Sequence, residues 1–236
     1  MSHFSVAVIT KGKPCNGEIE EILRPYCECY EEGWNDEYFT FEPADEEDEE
    51  SEGYYYNPDA RWDWFSIGGR WAGLIRTKKK EDVEVHSESS WIWKNDRDPY
   101  ESKEEGIFKV DCCRIKDIIT TDENEYEKGL RFWELVVEGQ APQTEDEEEI
   151  KKFCIYKLEY YLQAYKTKEN YAKARSQFST YAVVKDGEWY EAGRMGWWGI
   201  SSAEPEDEAN WENEYFDLVF AEAEEDEYLT IVDCHI

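Results

Sequence analysis

Two histidines and an aspartate stand at the extreme ends of this chain: His3 in MSHFSV, and Asp233 and His235 in the closing LTIVDCHI. Imidazole and carboxylate are the materials of general acid–base catalysis, and with an arginine they also build a phosphate pocket. Asp233 and His235 are two residues apart, so a strand would point both to one face and send Cys234 to the other. If the two terminal strands lie side by side in one sheet, His3 joins them. The plain alternative is a surface histidine at a frayed terminus, with Asp233 as a cap.

Two further blocks hold specialised residues. Residues 57–71 (NPDARWDWFSIGGRW) supply Trp64, Arg70 and Trp71, and residues 193–199 (GRMGWWG) supply Arg194, Trp197 and Trp198. Indoles stack on bases or anchor a partner protein, and guanidinium groups meet phosphate. Trp62, Trp64 and Trp71 are placed as core-facing residues would be, so packing is the first explanation of them. Trp197 and Trp198 are adjacent and cannot both point inward from an extended segment, which leaves at least one for an edge or interface. The sharper templates are absent: there is no GxSxG elbow, no HExxH helix, no GxxxxGK[ST] and no GxGxxG. Seven cysteines, at 15, 27, 29, 112, 113, 154 and 234, show no CxxC knuckle. They read as reduced thiols, and neither metal nor cofactor is expected.

The elements that must position these residues can be read from periodicity. Phe4 to Ile9 is an apolar run with β-branched residues and predicts a buried strand. Residues 16–30 predict a short helix limited by Pro25. Residues 62–77 look like two strands meeting in a hairpin at Gly68-Gly69, because glycine accepts positive φ. Residues 83–93, 106–119 and Phe132 to Val137 are further strand candidates. Thr144 to Glu147 matches a capping box, and the apolar spacing beyond it predicts a helix of about 25 residues. Residues 181–184 and 188–191 predict a hairpin about Asp186-Gly187. Residues 205–221 predict a helix opened by Pro205, and 228–236 a final strand. Short strands without regular βαβ alternation indicate an α+β fold. Its mostly antiparallel sheet would include both termini, with one long and one shorter helix packed on it. One domain over 1–236 is expected, a sub-domain break near 139–146 being the alternative.

Charge is the outlying property: 58 Asp and Glu face 26 Lys and Arg, a net charge of −32 in 236 residues. Eleven Trp and seventeen Tyr nevertheless supply a core. Such a surface repels nucleic acid and anionic lipid and is steered toward basic surfaces. The run at about 42–53, with Glu46, Glu47, Asp48 and Glu49 at its centre, has no apolar anchor and is expected to be a mobile, solvated loop. No stretch is long and apolar enough to span a bilayer, and the expected location is cytoplasmic.

The opening MSHFSV, the central WDWFSIGGRW block and the GWWG…VDCHI C-terminal part together resemble an uncharacterised bacteriophage and prophage protein family. The resemblance covers both ends and one middle block. It implies a phage-encoded protein acting in the bacterial host cytosol, and carries no catalytic role with it. In that setting the leading expectation is an acidic inhibitor that blocks a host nucleic-acid-handling or defence protein, such as a nuclease or CRISPR effector. It would occupy a basic nucleic-acid-binding groove by imitating the charge of DNA, with exposed Trp as anchors. The blocks that carry the resemblance, however, are aromatic, glycine and histidine blocks, not acid runs. The alternative is therefore a pocket protein that binds or hydrolyses a nucleotide-like molecule, Trp stacking on its base and Arg70, Arg194 and His235 meeting phosphate.

Overall fold

The computed structural model describes residues 2–33, 36–44, 53–79, 98–102, 104–154, 156–196 and 198–236. Along the chain come β1 (His3–Lys11), α1 (Asn16–Leu23), β2 (Thr40–Pro43), β3 (Gly53–Tyr56), β4 (Trp64–Ile67), β5 (Ile75–Thr77), β6 (Phe108–Val110) and β7 (Cys112–Arg114). They are followed by α2 (Glu123–Val136), α3 (Glu145–Phe153), α4 (Leu158–Ala164), α5 (Lys168–Ser176), β8 (Ala182–Lys185), β9 (Glu188–Glu191), α6 (Pro205–Phe216) and β10 (Glu227–His235). The fold is α+β. Its main sheet runs β4-β10-β1-β8-β9, with β7 pairing the same edge of β10 as β4.

The two terminal strands form the centre of that sheet, antiparallel from His3↔His235 to Lys11↔Glu227. Both are buried on nearly every residue because both faces are covered, the pattern of a central strand. One face, with Phe4, Val6, Val8, Val232 and Cys234, packs against Ile19 and Leu23 of α1 and against Trp62. The other, with Ala7, Ile9, Leu229 and Ile231, packs against Trp211 and Tyr215 of α6 and against Val219. Trp211 Nε1 donates to Thr180 O at 2.9 Å, so the indole is buried with its polar end satisfied. The β8–β9 turn has Asp186 and Gly187 at φ 53° and 82°, the two left-handed residues that a tight hairpin turn needs.

Three expectations are corrected. Phe132 to Val137 is not a strand but the end of α2, which Asp122 caps by accepting the N–H groups of Asn124 and Glu125. Helical spacing gathers Phe132, Trp133 and Val136 against Tyr161 and Tyr171, a contact that a local pattern does not show. The long helix after Thr144 is three helices. Thr144 caps α3 as expected, accepting Glu147 N–H, but Cys154 leaves in extended geometry and Lys166 takes φ 66° between α4 and α5. The chain turns so that Tyr161 and Tyr171 close together on Trp133. Gly68-Gly69 does not join a hairpin either: β4 pairs with β10, while β5 pairs with β6.

Within the acidic stretch, Glu42 and Pro43 belong to β2 and Gly53 to β3, which pair with Phe41 opposite Tyr55. Residues 45–52, including Glu46, Glu47, Asp48 and Glu49, and the strand candidate 83–93 lie outside the described residues. Among the described residues, no helix is long and apolar enough to cross a membrane.

Candidate functional site: paired histidines at one end of the sheet

Register places the site. His235 on β10 lies directly opposite His3 on one side and Trp64 of β4 on the other, so His3, His235 and Trp64 form one row across three adjacent strands. The next row is Ser5, Asp233 and Ser66. Residues directly opposite each other share a face, so both rows project from the face that carries Ile231 and α6. Cys234 points the other way into the α1 core, where burial pushes its thiol well up. The expected alternation therefore holds.

Within the first row the rings touch. His3 and His235 meet edge to face with centroids 4.9 Å apart. Trp64 stacks on His235 at 5.1 Å and an 18° interplanar angle, and meets His3 edge-on at 5.2 Å. Both imidazoles are largely buried, while Trp64 remains 42% exposed.

Each imidazole has its own carboxylate. His3 Nδ1 lies 2.9 Å from Asp233 Oδ1, a diagonal contact between β1 and β10. His235 Nδ1 lies 2.6 Å from Asp63 Oδ1. A carboxylate only accepts, so each Nδ1 is the donor and Nε2 of a neutral ring carries no proton. The site thus holds two His–Asp pairs, each arranged as a base with an orienting carboxylate behind it.

Asp233 is nearly fully buried, and its second oxygen accepts Arg70 N–H at 2.9 Å. That bond explains the glycine pair after β4. A Cβ on Gly69 would lie 2.3 Å from Asp233 Cβ, and one on Gly68 would lie 2.5 Å from Oδ2 of the buried Asp111. Both glycines also have positive φ. Asp111 in turn accepts Gly73 N–H at 2.7 Å and the Tyr100 hydroxyl at 2.6 Å. Two buried carboxylates, one under each glycine, therefore fix the turn that carries Arg70.

The remaining sequence candidates divide. Arg70 is exposed and adjoins the site through its backbone. Trp71 is partly buried against the α6 core, as packing predicts. Trp62 is core, donating Nε1 to Leu23 O at 3.1 Å, but Trp64 is not core, because the sheet end leaves its outer side open. Arg194 donates to Ala60 O at 2.7 Å and joins none of the site groups. Trp198 is 83% exposed in a loop clipped to the residue before His3, Gly199 N–H donating to Ser2 Oγ and Ser2 Oγ to Gly196 O. Trp197 lies outside the described residues.

Asp63 is the residue that sequence reasoning missed. Alternation assigns it the face opposite Trp64, but it sits in a bend just before β4, where alternation does not apply. Its N–H donates to His235 O at 2.9 Å, holding the carboxylate beside the ring. Among the described residues, no group of three His, Cys, Asp or Glu side chains is arranged to hold a metal ion.

Compared with protein-family models, curated proteins and solved structures, the chain matches none. The class it belongs to is defined by its own fold and site: an α+β protein whose paired termini carry two His–Asp pairs beside an open tryptophan.

Proposed function

We propose that this protein binds a small, ring-bearing, nucleotide-like molecule at the His3–His235 end of its sheet and carries out acid–base chemistry on it, hydrolysis above all. One observation carries the reading: residues 3, 63, 233 and 235 supply two His–Asp pairs whose rings are in contact. Tying the termini together does not require this. Buried ionisable pairs are often no more stabilising than apolar residues of similar volume, so a row of valines would close the sheet as well. Trp64 offers a ring face for stacking, and the two Nε2 atoms are the acid and base.

Three histidines make the test direct. With 15N-labelled histidine, adenosine is expected to move the ring signals of His3 and His235, and Trp64→Ala to abolish the response. Turnover over a panel of nucleotide esters is expected to vanish in His3→Gln and His235→Gln. Silent imidazoles and no turnover across the panel would sink the reading.

A second reading, the acidic inhibitor of a host nucleic-acid-handling or defence protein, is favoured by a different observation. Acids crowd the first turns of α3 (Glu145, Asp146, Glu147, Glu148) and α6 (Glu206, Asp207, Glu208), and Trp198 stands free of the surface. It predicts salt-sensitive capture of a basic host protein that survives His3→Gln and is lost when these acids are neutralised.

A further inference from the structure

We infer that the ligand of this site carries a phosphate group and that Arg70 holds it; this rests on the reading that the site takes a ring-bearing small molecule. Arg70 is tied to the site by its own backbone, its N–H on Asp233 Oδ2 while Asp233 Oδ1 holds His3. The glycine turn fixes that position, because both glycine sites are closed by carboxylates. Its side chain is exposed, and among the described residues its guanidinium has no ion pair and no hydrogen bond.

Among the described arginines that is unusual. Acids outnumber bases 58 to 26, and Arg61, Arg76, Arg131 and Arg175 each hold a carboxylate. Arg194, the other candidate, is engaged with Ala60 O. An unengaged guanidinium whose backbone is tied to the carboxylate of the His3–Asp233 pair is a ready anion site.

Phosphate fits it better than carboxylate. Two Nε2 atoms and one guanidinium make three polar positions, matching the three peripheral oxygens of a phosphate monoester. An imidazolium donates from Nε2, and a neutral ring accepts from a protonated phosphate oxygen. The ligand is a monomer and not a nucleic acid, because a net charge of −32 repels a polyanion along its whole length. A small dianion senses mainly its immediate neighbours, since screening acts over about 8 Å at physiological ionic strength.

The test compares adenosine, AMP, adenosine 5′-carboxylate and inorganic phosphate by calorimetry and by the His3 and His235 ring signals. AMP is expected to bind at least ten-fold tighter than adenosine, and inorganic phosphate alone to move both rings. Arg70→Gln should bring AMP to the level of adenosine while leaving adenosine unchanged, and Arg70→Lys should fall between. The backbone N–H on Asp233 survives both substitutions, so an unchanged melting temperature is expected. Equal binding of AMP and adenosine to the native protein, undiminished preference for AMP in Arg70→Gln, or equal binding of the 5′-carboxylate would overturn the inference while leaving the ring site standing. Failure of adenosine itself to bind removes the underlying reading and this inference with it.

Discussion

His3 and His235 are direct cross-strand partners whose rings meet edge to face at 4.9 Å, although 231 residues separate them in the chain. Their carboxylates flank the contact from different elements, Asp233 diagonally on β10 and Asp63 in the bend before β4. The two pairs can therefore be altered one at a time.

Asp233→Asn separates the orienting role from mere packing. Arg70 N–H needs an acceptor, so the amide oxygen turns to Arg70 and the amide NH2 faces His3 Nδ1. His3 must then accept at Nδ1 and carry its proton on Nε2. The 15N shifts of His3 are expected to exchange roles while those of His235 stay. Turnover should fall by about 10²–10⁴-fold, the range for a misplaced general base. An unchanged His3 tautomer would show that Asp233 does not set it.

The glycine turn predicts two different costs for the same substitution. Gly187→Ala places a Cβ in open space at φ 82°, so only backbone strain opposes it, about 1 kcal/mol. Gly69→Ala meets the same kind of strain and also a contact of 2.3 Å with Asp233. Its loss in chemical denaturation is expected to exceed that of Gly187→Ala by about 1–3 kcal/mol, typical of overpacking. It should also disturb the His3 ring signals. Equal losses would mean that Asp233 yields freely.

In α2, Gly129→Ala should have the opposite sign to its helix propensity. An exposed helical glycine replaced by alanine gains about 1 kcal/mol. Here the new Cβ would lie 2.7 Å from Ala172 Cα, backbone of α5, with no flexible side chain to give way. A net loss of stability is expected, measured by urea midpoint at unchanged m-value. Stabilisation would show that α2 and α5 separate easily.

Glu212 on α6 predicts a pH dependence away from the histidines. Burial pushes its carboxyl up to about 7 from an ordinary 4.5, against the opposing pull of Lys173 on α5, and its charge acts on Tyr165 and Tyr171. A carboxyl with a raised folded value binds more protons folded than unfolded. Stability therefore falls as pH rises from 4.5 to 7. Glu212→Gln should remove that slope and be more stable than the native chain at pH 8, by about 1–3 kcal/mol after allowance for its partial exposure. At pH 4.5 the two should be alike. A native slope of the other sign, or a destabilised Glu212→Gln at pH 8, would exclude a buried neutral Glu212.

Much of the framework was legible because its causes are local. Phe4 to Ile9, the Asp186-Gly187 turn, the Thr144 cap and Pro205 at the head of α6 each express backbone preference or short-range periodicity, and each appears where the residues placed it. Phe132 to Val137 failed because a short apolar run suits strand and helix alike. The helix that Asp122 caps carries Phe132 and Trp133 onto the distant Tyr161 and Tyr171, a contact the run itself does not record. The tyrosine-rich stretch after Phe153 failed for a related reason: helical spacing runs on through residues where the chain must turn to close on Trp133.

By itself the sequence determined an acidic α+β protein with both ends in strands, and it singled out His3, Asp233 and His235 as chemically capable. The tertiary structure alone decided that Asp63 completes the second pair, that Trp64 is a ring face and not core, and that Arg70, not Arg194, adjoins the site. These depend on the register of β4 and β1 against β10, where a slip of one residue would turn Trp64 or His3 to the other face. Register is set by the packing of segments far apart in the chain, and no local pattern records it.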